Sequence, residues 1–322
     1  MKKRYKKIFV AGHNGLVGSS IYRCLQKIKN VKLITIDKKK INLEDQRKTK
    51  FFLKKNRPDY VILAAALAGG IWANEKYCAD FIEKNIIIQH NIITSCHQLK
   101  IKRLLFLGSS CIYPKFSKQP MKENYLLKGE LESTNEAYAV AKIAGLKMCT
   151  YFNKQYKTDF RVIMPTNIYG INDRYDSMKS HVIPALIEKI HLAKKKNRKN
   201  VQLWGTGKAR REFMFADDLA KICVDILFLP KKKYYDFLNK KKIEFINVGC
   251  QKDIDIKSLA QKICKVIFFR GKIMFNKKMK DGTPRKLLDV SNLRKLLNYK
   301  YSLTRLDDGL KITYKNYLKK IA

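Results

Sequence analysis

The feature that most constrains this chain stands near its start. Residues 7–11 form a short apolar run. Gly12-His13-Asn14-Gly15-Leu16-Val17-Gly18 follows at once, and Leu16, Val17, Ile21 and Leu25 then recur at helical spacing. Three glycines at this GxxGxxG spacing allow a tight turn, bring the backbone close to a bound diphosphate and let the helix lie against the strand. The helix N-terminus adds free N–H groups and a partial positive charge. A glycine triplet alone is weak. At a strand–turn–helix junction opening a βαβ unit, it predicts a dinucleotide-binding turn.

The same rhythm continues. Further strands are expected at residues 31–36, 60–66, 103–108 and 160–164, and helices at 15–28, 47–56, 80–99 and 138–155. Strands apolar on both faces belong to parallel sheets covered by helices on both sides. The fold class is therefore α/β: a Rossmann-type doubly wound parallel sheet with a smaller mixed α/β domain. After Pro165 the rhythm loosens. Helices are expected at 182–194, 217–229, 255–266 and 303–319, and short strands at 201–204, 245–248 and 272–275, while residues 231–242 read as a charged loop. A length of 322 residues suits two domains. We place a cofactor-binding domain at residues 1–170, with return segments around 213–250, and a mainly substrate-binding domain at 171–322.

Composition removes several classes. Hydrophobic residues make up 46% of the chain, enough to offset the entropy of ordering. No apolar run approaches the ~18–20 residues of a membrane span. Lys plus Arg number 69 against 27 Asp plus Glu, a formal charge of +42. The lysines are spread along the chain, with clusters at Lys38-Lys39-Lys40, Lys194-Lys195-Lys196 and Lys240-Lys241-Lys242 in loop-like positions, and no nucleic-acid-binding motif accompanies them. Such a charge speaks to solubility and to attraction of an anionic small substrate rather than to a specific nucleic-acid partner. The eight cysteines form no CxxC pair and have no histidine cluster at metal spacing, so no metal site is expected. Without a secretory leader, the reading is a reduced cytoplasmic protein with free thiols.

Candidate chemistry falls at strand ends and on one helix face. The second strand ends near Asp37, which suits a ribose 2′-hydroxyl, but Lys38 beside it suits a 2′-phosphate, and both choices stand. Asp45 reads equally as a helix N-cap or an adenine contact. Tyr138 and Lys142 are four apart on a helix and share a face. A neighbouring ammonium, together with the positive ring of a bound nicotinamide, is expected to pull the phenol below its ordinary ~10 and tune it for carbonyl reduction. Ser109-Ser110-Cys111 follows an expected strand directly. If the extended geometry persists, Ser109 and Cys111 point the same way, a hydroxyl for a carbonyl oxygen and a thiol for proton transfer. His181 stands at a helix start, whereas His13, His90, His97 and His191 read as structural or exposed.

These motifs resemble the extended short-chain dehydrogenase/reductases. The likeness runs through nearly the whole chain, in AGHNGLVGS (11–19), AAALAGGIWAN (64–74), FLGSSCIYPKFSKQPM (106–121), EAYAVAKIAG (136–145), MPTNIYG (164–170), SHVIPAL (180–186), REFMFADD (211–218) and DGTPRKLLDV (281–290). The resemblance implies a two-step enzyme acting on GDP-4-keto-6-deoxy-D-mannose, by 3,5-epimerisation and then NADPH-dependent reduction at C4. A different nucleotide-sugar epimerase or dehydratase of the same fold is the alternative. It implies Ser109, Tyr138 and Lys142 as a reductase triad and Cys111 with His181 as the epimerisation acid/base pair, without saying which is the base. It implies NADP(H) over Gly12, His13, Asn14, Gly15, Leu16, Val17 and Gly18. The cofactor would then lie near Lys38, along Leu107, Gly108, Ser109 and Ser110, and against Lys142, Pro165, Thr166, Asn167, Ile168 and His181. Lys189, Trp204, Arg211 and Asp281 would contact the GDP-sugar, although an ordinary core tryptophan explains Trp204 as well. A homodimer packed through the helices near 82–99 and 138–155 is also implied. Relatives often carry Arg where this chain has Asn14 and Lys38, which leaves the choice between NADP and NAD open.

Overall fold

A computed structural model describes residues 5–298 and 302–322. The first half runs β1 (Lys6–Ala11), α1 (Leu16–Gln26), β2 (Val31–Ile34), α2 (Gln46–Asn56), β3 (Tyr60–Leu63), α3 (Ile71–Lys76), α4 (Cys78–Gln98), β4 (Arg103–Leu107), α5 (Glu136–Tyr156) and β5 (Phe160–Pro165). The second half runs β6 (Asn167–Tyr169), α6 (Val182–Lys195), β7 (Asn200–Trp204), β8 (Arg210–Phe215), α7 (Ala216–Phe228), α8 (Lys231–Lys241), β9 (Ile246–Val248) and β10 (Asp253–Asp255). It ends with α9 (Ile256–Ile267), β11 (Lys272–Asn276), β12 (Arg285–Lys286), α10 (Ser291–Leu297) and α11 (Leu306–Ile321).

The first core is built on a parallel sheet in the order β2-β1-β3-β4-β5-β9. The chain leaves β1 in one direction to make β2 and in the other to make β3. The crevice above the carboxyl ends of β1 and β3 is thus the place where such sheets bind ligands. Strands β3, β4 and β5 are buried along their whole length, as strands covered on both faces must be. Helix α5 packs on α4, and α7 on α1. At the opposite, amino end of the sheet Arg103 and Arg161 share the carboxylate of Asp159 and also donate to the last carbonyls of α7. Arg161 is fully buried there, its charge met by a paired acid and by main-chain oxygens.

A second core gathers α6, α9, α11 and the faces of β7 and β8. Strand β8 is its axis: β10 pairs with it antiparallel, and β12 and β6 parallel. Glu212 on β8 is fully buried, and its carboxylate accepts from the backbone N–H groups of Cys250 (2.6 Å), Gln251 (2.6 Å) and Leu288 (3.0 Å). Those bonds tie β8 to the exit of β9 and to the segment after β12.

Three local readings are corrected. Residues 231–242 are not a loop, because Tyr234 and Leu238 lie one helical turn apart and are buried, which makes α8 a helix with lysines at both ends. Lys194-Lys195 and Lys240-Lys241 accordingly lie in the last turns of α6 and α8, where cations suit the negative end of the helix dipole. The backbone after Ser109 does not stay extended. Ser109 is β-like, but residues 110–112 form a 3-10 turn capped by the Ser109 hydroxyl, which accepts from the Cys111 N–H at 3.4 Å. All eight cysteines are free.

Candidate active site

The glycine turn closes β1 against α1. Gly12 has φ +86°, a conformation that side chains avoid, and a Cβ there would stand 2.7 Å from the Ala65 backbone nitrogen after β3. Gly15 is the N-cap of α1 and offers no side chain to the helix, and the first turn holds no acid. The opening N–H groups of α1 are therefore left to a ligand, in a donor-rich, acid-free cradle. That arrangement fits the diphosphate of a dinucleotide. Beyond it, the Asp37 carboxylate accepts from Asn14 Nδ2 at 2.7 Å and lies 3.6 Å from His13 Nε2, while Lys38 pairs with Glu44 at 3.2 Å. His13 and Asn14 edge a shallow depression completed by Tyr22, Arg23 and Lys320. Asp45 caps α2, accepting from Lys48 N–H at 2.9 Å.

The neighbouring strand ends complete this side. Leu107 and Gly108 leave β4, and Pro165 and Thr166 leave β5. Lys142 is 3% exposed and its ammonium donates to the Leu107 carbonyl at 2.9 Å, 5.7 Å from the Tyr138 ring. Burial pulls Lys142 down to about 8, partly offset by the Cys111 side chain. In the protein alone burial pushes the Tyr138 phenol well up, and Cys111 adds to the effect. With the Lys142 ammonium donating to a carbonyl, desolvation wins and Tyr138 stays a neutral phenol.

A cavity is lined by residues of both cores. It brings together Ser109, Ser110 and Cys111 from the end of β4, Tyr138 from α5 and Asn167 and Ile168 from β6. His181 and Lys189 of the α6 segment, Trp204 of β7, Arg211 of β8 and Asp281 join them. His181 is the N-cap of α6 and its ring caps nothing, so the imidazole is free to face the cavity. The Gly70 N–H, donating to the Lys179 carbonyl at 2.8 Å, holds this entry in place. The exposed surface of His181 faces an enclosed cleft, and burial followed by the Lys286 charge lowers its pKa. Cys111 is raised by burial, against the opposing pull of Lys286, Ser109 and Lys142.

At the far side the Lys189 ammonium sits over the Trp204 ring at 4.1 Å, so Trp204 is a wall of the cavity as well as a packed residue. Arg211 donates to the Asp281 carbonyl at 3.1 Å and burial lowers it to about 10. The Asp281 carboxylate is engaged by the Thr206 N–H (2.9 Å) and hydroxyl (2.7 Å), which locks the turn after β7. Sequence reasoning missed Lys286, Glu132, Thr134 and Asn74, all of which line the cavity. Lys286 lies inside the DGTPRK stretch, and Thr134 stands just before the Tyr138 helix, so both were adjacent to recognised motifs.

A diphosphate cradle at the switch point of a parallel sheet, opening beside a tyrosine and lysine in helical register, defines a nucleotide-cofactor oxidoreductase of the Rossmann type. The chain belongs to the NAD dependent epimerase/dehydratase family, whose sequence profile matches residues 8–236. It is 45% identical to the GDP-L-fucose synthase of Escherichia coli K12, over 98% of this chain and 97% of that one. It is 46% identical to a putative GDP-L-fucose synthase 2 of Arabidopsis thaliana, over 100% and 94%. Among solved structures, a GDP-mannoheptose C4 reductase from Campylobacter jejuni with NADP bound superposes with a TM-score of 0.85 at 35% identity, covering 99% of each chain.

Proposed function

We propose that this chain converts GDP-4-keto-6-deoxy-D-mannose to GDP-L-fucose, inverting C3 and C5 and then reducing the C4 ketone with NADPH. The likeness to GDP-L-fucose synthases over the whole chain supports the activity. The observation that carries it is the presence of a thiol, an imidazole, a serine hydroxyl and a phenol in one cavity, from three separate segments.

The hydrogens at C3 and C5 flank a ketone and are acidic for sugar C–H bonds. Inversion needs a base on one face and an acid on the other, and Cys111 and His181 reach the cavity from different elements. As the proton leaves carbon, negative charge gathers on the C4 oxygen, where Ser109 and Tyr138 donate hydrogen bonds. NADPH, when bound, supplies the hydride equivalent for C4. Tyr138, kept neutral by burial, gives its proton to the C4 oxygen, and Lys142 beside it makes the resulting phenolate less costly. Gly12, Gly15 and the N-terminus of α1 hold the cofactor diphosphate. Arg211 presents a fork to the substrate diphosphate, with Lys189 and Trp204 beside it.

On this reading residues 1–170, with the return near 213–250, bind cofactor and the remainder binds GDP-sugar. The exposed Ile86, Val140 and Tyr151 on the packed pair α4 and α5 suit a homodimer formed as a four-helix bundle. Free thiols suit a cytoplasmic setting, and among the described residues no helix is long and apolar enough to cross a membrane. A C4 reductase without epimerase activity is the second reading, and the Cys111–His181 pair argues against it. Loss of NADPH absorbance that depends on GDP-4-keto-6-deoxymannose tests the proposal. Folded protein that consumes none would overturn it.

A further inference from the structure

The inversion step as proposed leaves one half-buried cation unused. Lys286 ends the short strand β12, its backbone in register with Arg211 of β8. The strand is pinned on both sides. The Arg285 carbonyl accepts from Gln119, the Leu287 N–H donates to the same Gln119 side chain at 2.9 Å, and the Leu288 N–H donates to Glu212. Lys286 lines the cavity with Cys111, His181 and Tyr138, yet among the described residues its ammonium forms no hydrogen bond or ion pair. Its neighbours divide the cavity's charges. Arg211 donates to the Asp281 carbonyl, Lys142 is committed to Leu107, and Glu132, the carboxylate whose charge acts on Lys286, lies 3.2 Å from Lys115. A cation carried on a pinned strand and facing a cavity without a partner acts on whatever anion forms there.

We propose that Lys286 is a positioning charge for the inversion step, set where it stabilises the negative charge that appears when C3 or C5 loses its proton. The inference rests on the activity proposed above. The C–H electron pair moves into the enolate, with its charge on the C4 oxygen, and the proton passes to one member of the Cys111–His181 pair. The other member returns a proton to the opposite face. Lys286 gains and loses no proton in this cycle. Its field opposes the burial that keeps Cys111 a thiol, and adds to the burial that keeps His181 a neutral imidazole. Burial, opposed by Cys111, holds Lys286 itself at about 8. Cys111 also feels its turn neighbour Ser109 and the Lys142 charge, so Lys286, on β12, is the second cation acting on it.

The test uses native enzyme, Lys286→Met and Lys286→Arg with the 4-keto substrate in deuterated water and oxidised NADP, so that exchange proceeds without reduction. Deuterium entry at C3 and C5 is followed by NMR. Lys286→Met should slow exchange by about a hundredfold, while GDP competes as tightly as with the native enzyme. Lys286→Arg should recover much of the rate. Native exchange should fall above about pH 8, as Lys286 loses its charge, and the fall should move to higher pH in Lys286→Arg, because arginine stays charged. With NADPH deuterated at the transferred position, Lys286→Met should lose the isotope effect on NADPH consumption, because inversion then limits the rate. Weakened GDP competition with exchange unchanged would make Lys286 a phosphate contact and overturn the inference. So would equal exchange in all three proteins. Native enzyme that exchanges neither position would overturn the activity itself.

Discussion

The glycine turn offers the sharpest mechanical prediction, because two of its glycines are constrained differently. A Cβ on Gly18 would stand 2.0 Å from the Gly12 carbonyl oxygen and 2.6 Å from its carbon. Nonbonded heavy atoms rest near ~3.5 Å, so the shortfall at the oxygen is roughly 1.5 Å. Both obstacles are backbone, and the turn is closed by the Gly15 N–H donating to that same oxygen at 3.0 Å. Gly18→Ala must therefore push α1 away from the turn, at about 1–3 kcal/mol of stability. The displaced helix also misaims its N–H groups. Losing two hydrogen bonds to a charged phosphate, at ~1.5–3 kcal/mol each, raises the NADPH Kd by more than about a hundredfold. Gly15 is the contrast: its φ is −80° and its nearest obstacle lies at 3.5 Å. Gly15→Ala should keep the native melting temperature and weaken NADPH only by crowding the diphosphate. Fluorescence titration of NADPH and thermal melting of both variants decide the matter. Gly18→Ala with a native Tm and an NADPH Kd within about threefold of native would refute the steric reasoning.

Other expectations follow from buried charges. Glu212→Gln places an amide where three backbone N–H donors converge, leaves at least one unpaired, and should cost about 1–3 kcal/mol in urea unfolding. Burial raises Asp173 from 3.8 to about 7. The folded state then keeps a proton that the unfolded state has lost, so this contribution is complete below 3.8 and gone above about 7. Tm should decline across that window in the native protein and decline less in Asp173→Asn. Lys142, held at about 8, is charged below that pH and neutral above it. The rate of C4 reduction should fall above about pH 8, and Lys142→Met should be slow with no such fall.

Much of this architecture was legible because periodicity reports burial. The glycine turn, the largely apolar strands β3 to β5 and the long helices α4 and α5 announce themselves through patterns that a parallel sheet requires. Helix α8 was hidden by lysines that bracket its two buried positions. Strand β8 was hidden because Arg210, Arg211 and Glu212 look like surface residues, although Glu212 is paid for by three backbone donors in the core. Residue identity also misled at Tyr138. The spacing to Lys142 correctly places the two on one helix face, but spacing says nothing of where an ammonium points, and here it points at Leu107. Lys286 escaped notice for a related reason. A lysine in a chain with so many lysines carries no signal until the fold shows which one faces a cavity without a partner.

The central claim is that one cavity both inverts two carbons and reduces a third. The configuration of the product tests it most directly. Incubation with NADPH and GDP-4-keto-6-deoxy-D-mannose, followed by NMR of the nucleotide sugar, should give a single L-configured GDP-6-deoxyhexose with one NADPH consumed per molecule formed. A product that keeps the D-configuration at C3 and C5 would contradict the account and leave only a reductase.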